Sequence, residues 1–282
     1  MSEQSIKPKK IKTAFSESLA LSRPALALLL RTFMDAEEQG MPNLSDELIR
    51  QKTGLGPNHI KAQKQYARGC GLADGINYLT ELGKAVLISD PDLHQIDTQW
   101  LLHYHFVTPH GAGPDFWRYL TVHPLTTGGT TNNRTITNQI EHFHDEEGLD
   151  RLGDSSYNSA ATAFLGTYSN PDGLNSLHLL CKKDDGYQIG LPEPIGTNTF
   201  AYVLADYWAA NWGDTQSVSL NFITGATGPA PLLLLGSGET NEILGDLHRE
   251  GLVRVERSVR PYTVFRLWNN SKEMRERLYA NR

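Results

Sequence analysis

The 282-residue chain has two cysteines, Cys70 and Cys181, far apart and outside any metal-ligand spacing. A disulfide framework and a cysteine zinc site are therefore both unexpected. No run of 18 or more apolar residues occurs, so no ordinary membrane-spanning helix is expected. Met1 to Lys12 carries charge but no apolar stretch, which points away from a signal peptide or anchor and toward the cytoplasm. There is no His-Glu-x-x-His, no P-loop and no complete dinucleotide glycine fingerprint. Gly236-Ser237-Gly238 lacks the Lys-Ser/Thr or third glycine that phosphate cradling needs, so it is expected to be a helix-cap loop. What is present is an ordinary globular composition, 39% hydrophobic and 21% charged, whose length suggests about two domains.

The net charge of −6 is unevenly spread. Residues 1–84 hold 12 Lys/Arg against 9 Asp/Glu, residues 85–247 hold 5 against 19, and residues 248–282 hold 9 against 4. Basic ends around an acidic middle direct any anionic partner to the two ends.

The most informative stretch runs from Asn43 to Leu87. Ser45 is placed to cap a helix whose first turn carries Asp46 and Glu47, with Leu44 stapled against Ile49. Gly54 and Gly56 flank a tight turn, Pro57 restarts the chain as a first-turn proline, and Gly69 and Gly71 end the second helix. Asp74-Gly75 then suggests a small hairpin before Thr80 caps another helix. Helix, turn, helix, hairpin is the order of a winged helix. On the second helix Pro57, Lys61, Lys64 and Arg68 fall within about 40° of one line. His59, Ala62, Tyr66 and Cys70 fall opposite, with Ile60 and Ala67 beside them. Cations neutralise phosphates and amides reach base edges, so Asn58, Lys61, Lys64, Gln65 and Arg68 are candidate DNA contacts. A plain solvated helix face is the simpler alternative.

The rest of the chain extends this reading. Residues 1–19 are placed as a basic tail, of which 1–12 (Lys7, Lys9, Lys10 and Lys12) are expected to be disordered, and Ser22-Arg23-Pro24 opens an apolar helix ending by Gly40. The winged helix is placed at 20–88. A helical middle follows at 89–228, with helices near 97–106, 134–145, 155–168, 172–180 and 198–212, and a hairpin turning at Asp185-Gly186. Residues 108–133 suggest an irregular connection, and Leu232 to Leu235 a buried strand. From 229 to 282 an amphipathic helix, two alternating strands and a last helix repeat the winged-helix order. Alternation there puts Val253, Val255 and Val259 inside and Arg254, Arg257 and Arg260 outside, where they become candidate contacts to an anionic partner. Edge protection by charge is the alternative. The fold class expected is mainly α with small β-hairpins.

Six histidines (His103, His105, His110, His123, His142, His144) raise the question of a metal. His103/His105 and His142/His144 are spaced i, i+2, which diverges on a helix, and no fixed ligand spacing joins the others. No metal, no cofactor and no catalytic residue is expected. Trp208 and Trp212, spaced i, i+4, fit a core better than a base-stacking platform.

Three stretches, Phe15 to Met34, Leu79 to Phe106 and Gly228 to Leu247, resemble an uncharacterised bacterial family often encoded beside phosphoadenosine-phosphosulfate reductase-like enzymes. The most specific part is a Thr-x-x-Gly turn, an Asp-Pro loop and Thr-x-Trp-Leu-Leu-His at fixed spacing. That resemblance implies a DNA-modification or phage-defence setting, without catalytic residues to carry over. The expected function is a double-stranded-DNA-binding accessory or regulator. A protein–protein adaptor binding enzymes encoded nearby is the second reading, and a metal-dependent hydrolase the third.

Overall fold

The computed structural model describes residues 9–41, 43–75, 77–123, 125 and 129–280. Of the described residues helix makes up 54% and strand 9%, so the mainly α class holds, with two small antiparallel three-stranded sheets among them. The chain divides into two compact units, 1–193 and 194–282.

The first unit begins with residues 9–22, and this segment is not a free tail. Ile11, Phe15 and Leu21 are buried, and the Ile11 N–H donates to the Ala112 carbonyl at 2.9 Å. Apolar residues at these positions gain more from burial than a short chain loses by ordering. Lys7 of the expected tail lies outside the described residues. Helix α1 (Arg23–Glu38) starts where the Ser22 hydroxyl accepts from the Ala25 N–H. Helix α2 (Asp46–Thr53) is capped by Ser45, and Gly54 ends it in the left-handed region at φ 69°. Leu44 and Ile49 are both buried, as a staple requires. Helix α3 (Pro57–Gly69) follows, then α4 (Glu81–Ser89), capped by the Thr80 hydroxyl.

Between α3 and α4 the expected hairpin reduces to one antiparallel bridge, Ala73 to Leu79, and Ile76 lies outside the described residues. The Asp74 carboxylate accepts from the Tyr78 N–H at 2.9 Å, and Thr80 at once begins α4, so no room remains for a ladder.

Helices α5 (Ile96–Val107), α6 (Asp115–Val122), α7 (Asn133–Glu146) and α8 (Asp154–Ser169) complete the helical part. Strand β1 (Thr130–Thr131) emerges from the region expected to be irregular and joins β2 (Leu180–Lys183) and β3 (Gly186–Ile189) in the order β1-β3-β2. The expected helix at 172–180 is a single 3-10 turn, Asn175–Leu177. The β2–β3 turn is Asp184-Asp185, one residue earlier than anticipated, because Lys183 pairs with Gly186. An aromatic core ties the segments together. Phe15 meets Tyr66 at 5.0 Å between ring centroids, Phe106 meets Trp117 at 4.9 Å, and Trp117 meets Phe164 at 5.1 Å. Helix α3 therefore shares one core with α5, α6 and α8, and the first unit runs well past residue 88.

The second unit has the order α9 (Thr197–Asn211), β4 (Ser217–Ser219), α10 (Leu220–Thr224), α11 (Pro229–Leu232), α12 (Ser237–Arg249), β5 (Val253–Glu256), β6 (Thr263–Arg266) and α13 (Ser271–Arg277). Its sheet order is β4-β6-β5, with Val218 opposite Val264 and Val255 on the other side of Val264. Residues 194–228 thus belong with the C-terminal hairpin, although the sequence suggests a boundary at 229. Leu232 to Leu235 is not a strand. Pro229 and Pro231 start a helical turn, and a proline cannot supply a ladder N–H. Trp208 is buried, with Trp212 and Trp268 edge-on to it at 5.1 and 5.5 Å.

Candidate nucleic-acid interface

Helix α3 presents two faces, broadly as its periodicity predicts. Ile60, Ala62, Tyr66, Ala67 and Cys70 are buried, while Asn58 and Lys61 are exposed and Lys64, Gln65 and Arg68 are half-buried. His59 departs from expectation and is exposed, because the first turn of the helix projects beyond the core. Gln63, which the pattern does not single out, is fully buried. Its amide donates to the Ala20 carbonyl at 3.1 Å, and its oxygen accepts from the Ser22 N–H at 3.3 Å.

These bonds belong to a strap formed by residues 9–22 along α3. The Tyr66 hydroxyl donates to the Leu19 carbonyl at 3.0 Å, and Arg68 donates to the Lys9 carbonyl at 3.1 Å. Two of the three cations face carboxylates: Lys61 Nζ lies 3.2 Å from Glu17 and Lys64 Nζ 2.9 Å from Asp46. Burial holds the Arg68 guanidinium below its usual pKa. No local pattern signals these pairings, since their partners lie 44, 18 and 59 residues away.

The C-terminal hairpin is arranged differently. Arg254, Arg257 and Arg260 are all exposed. Arg254 lies over the Phe265 ring at 4.3 Å and Arg260 over Tyr262 at 5.6 Å, as cations do on the negative face of a π system. Among the described residues no carboxylate forms an ion pair with any of the three. Glu256 is turned toward Ser258, whose hydroxyl and N–H hold its carboxyl below the usual range, with smaller contributions from the Arg257 N–H and the Arg254 charge. Alternation holds in part. Val253 is buried and Val255 half-buried, but Val259 is 74% exposed, because it lies beyond β5 in the connecting loop where the strand period no longer applies.

The histidines do not converge. His103 is buried, its Nδ1 2.7 Å from the Tyr168 hydroxyl, and that hydroxyl accepts from the Trp117 indole at 2.9 Å. His144 Nε2 is 3.0 Å from the Thr13 hydroxyl, and His142 pairs with Glu146 at 3.2 Å. Among the described residues no three His, Cys, Asp or Glu side chains come together in a metal-sized group. At the start of α12 the Gly236 N–H donates to the Glu239 carboxylate at 2.7 Å, so this glycine turn closes on its own helix. No helix among the described residues is long and apolar enough to cross a membrane.

One cleft in the second unit has about 530 Å³ of space beside the outer edge of β4, lined by Trp212, Ser217, Ser219 and Phe222 among others. The Arg266 N–H donates to the Gln216 carbonyl, and the Leu220 N–H to that of Tyr262. Even-numbered residues of β4 therefore face β6, and the Ser217 amide points outward.

Two solved structures of proteins named SspB are similar in fold. One, described as magnesium ion-bound, matches with a TM-score of 0.73 at 15% identity, covering 94% of this chain and 86% of that one. The other matches with a TM-score of 0.74 at 16% identity, covering 96% and 88%. No curated protein matches. A family model described as a protein of unknown function, DUF4007, matches residues 29–276, and the chain belongs to that family.

Proposed function

We propose that the chain binds double-stranded DNA as an accessory or regulatory protein of a modification or defence system, with the β5–β6 hairpin as its main contact. The observation that carries this reading is the set of three exposed arginines on that hairpin. Two of them lie over aromatic rings, and among the described residues none is in a close ion pair with a carboxylate. An exposed guanidinium resting on a ring and outside any close ion pair is placed to neutralise phosphate.

The order helix, strand, three helices (two of them short), strand, strand, with the first strand beside the last, supports reading residues 194–282 as a winged helix whose wing is β5–β6. Helix α12 would then hold the recognition position. Its outer side carries Glu239 and Glu242, which phosphate repels, so the wing rather than the helix makes the contact. In the first unit α1, α2, α3 and the Ala73–Leu79 bridge support a second, abbreviated version of the same order.

The test is a titration of random-sequence duplex at several salt concentrations. Arg254, Arg257 and Arg260 are replaced together by Glu, and folding is checked by thermal unfolding. We expect weaker binding and a log–log salt slope flattened by roughly 0.9 for each phosphate no longer neutralised. Equal affinity and slope in a folded variant would remove the hairpin from the interface.

One observation favours an adaptor instead. The open Ser217 edge lies beside Phe222, 60% exposed, and this suits an extended peptide adding a strand to the sheet. A partner that co-purifies with the chain, together with no salt-dependent affinity for duplex, would make this the leading reading.

A further inference from the structure

We propose that Glu17 and Asp46 are built-in counter-ions of α3, holding Lys61 and Lys64 until a polyanion displaces them, so that the helix engages a duplex backbone and ignores single anions. The inference rests on the DNA-binding reading and adds a control on it.

Both carboxylates are open to solvent: the side chains of Lys61 and Glu17 are 62% and 47% exposed, and Asp46 is 63% exposed beside Lys64 at 25%. Exposed ion pairs are weak and exchange readily with ions in solution. Their backbones, however, are fixed. Glu17 and Ser18 both occupy the left-handed region, at φ 49° and 70°, a conformation that non-glycine residues hold only where neighbours impose it. Here Phe15 and Leu21 are buried on either side, while Gln63 and Tyr66 bind the carbonyls of Ala20 and Leu19. The strap cannot peel away without breaking those bonds and exposing those apolar side chains, so the turn keeps one carboxylate over Lys61. Asp46 is fixed by a different device. It is the first residue of α2, next to the Ser45 cap, where the helix dipole favours a negative charge.

The consequence is a threshold. A single phosphate that displaces one carboxylate exchanges one anion for another and gains little. A duplex presents phosphates at fixed spacing and reaches both lysines in one encounter, releasing its own condensed counter-ions as it binds. The carboxylates move aside by side-chain rotation alone.

The experiment uses the full chain. Glu17→Gln, Asp46→Asn and the double variant are titrated with random duplex at low and high salt, with inorganic phosphate as competitor. Asp185→Asn, at the β2–β3 turn, controls for net charge. We expect each single variant to bind duplex about two- to fivefold more tightly at low salt, with the gain shrinking at high salt. Phosphate should compete better against the double variant than against the wild type. If the double variant binds like the wild type while Lys61→Ala/Lys64→Ala weakens binding, the helix is in the interface but the carboxylates do not compete, and the inference falls. If the lysine variants change nothing while the hairpin arginine variants do, α3 is not in the interface: the inference falls and the DNA reading stands. Failure of every form to bind duplex would overturn both.

Discussion

Gly69 closes α3 against the ring of Phe106, and a Cβ there would overlap the ring as well as touch Ile11. Phe106 is itself wedged between Tyr66 and Trp117 and has nowhere to go. Gly69→Ala should therefore destabilise the fold by roughly 1–3 kcal/mol, the usual cost of overpacking, as read by denaturant unfolding. An unchanged midpoint would mean that the ring yields. The two cysteines offer a second test. Cys70 is fully buried and its thiol pKa is pushed up, whereas Cys181 is exposed. A disulfide-exchange reagent at mildly alkaline pH should modify Cys181 quickly and Cys70 only after denaturation, because the thiolate is the reactive form. Rapid modification of both would contradict the burial of Cys70. Glycine in α3 is legible as a stop signal, but its second role, admitting Phe106, is not. Sequence spacing shows which face a residue takes and not how near the opposing ring comes.

Helix α3 shows where periodicity succeeds and where it ends. The buried positions Ile60, Ala62, Tyr66 and Ala67 follow from the 3.6-residue repeat, and the caps Ser45 and Thr80 from local hydrogen bonding. Gln63 lies outside that logic, since a glutamine is polar by type and is buried here only because the strap offers it one donor and one acceptor. This division suggests a split among the candidate DNA-facing residues. Replacing Lys61 and Lys64 by Ala should flatten the salt dependence of duplex binding by up to roughly 0.9 for each lysine that meets a phosphate. Asn58→Ala should leave that slope alone and cost about 1–3 kcal/mol of discrimination if the amide reads a base edge. A flatter slope in Asn58→Ala would mark it as a backbone contact. Arg68 is the less informative substitution, because removing it also releases the Lys9 carbonyl. The C-terminal sheet marks the other limit. The alternation of β5 and β6 is visible in sequence, but β4 is three residues long and pairs with a strand more than forty positions later, which no local pattern encodes.

At the scale of the whole chain, the division falls at Glu193 and Pro194, beside the exposed Leu191 in a Leu-Pro-Glu-Pro segment. Limited proteolysis with an enzyme of broad specificity should cut first near Leu191 and leave two resistant fragments, one roughly twice the mass of the other. Early cutting inside 89–190 would argue against the first unit as a single body. The sequence suggests the boundary at 229 because the helix-and-hairpin pattern restarts there, while the helix and strand that complete the sheet lie upstream without a pattern of their own. That arrangement has a consequence for biosynthesis. The central strand of the second sheet, β6, is the last of its three to be made, and β4 has no partner until it arrives. As the chain leaves the ribosome, the first unit can close while α9, β4 and α12 are still waiting with apolar faces uncovered. For that interval the second unit depends on what shields it, and a pause or truncation before Thr263 would leave a folded N-terminal unit joined to a sticky remnant.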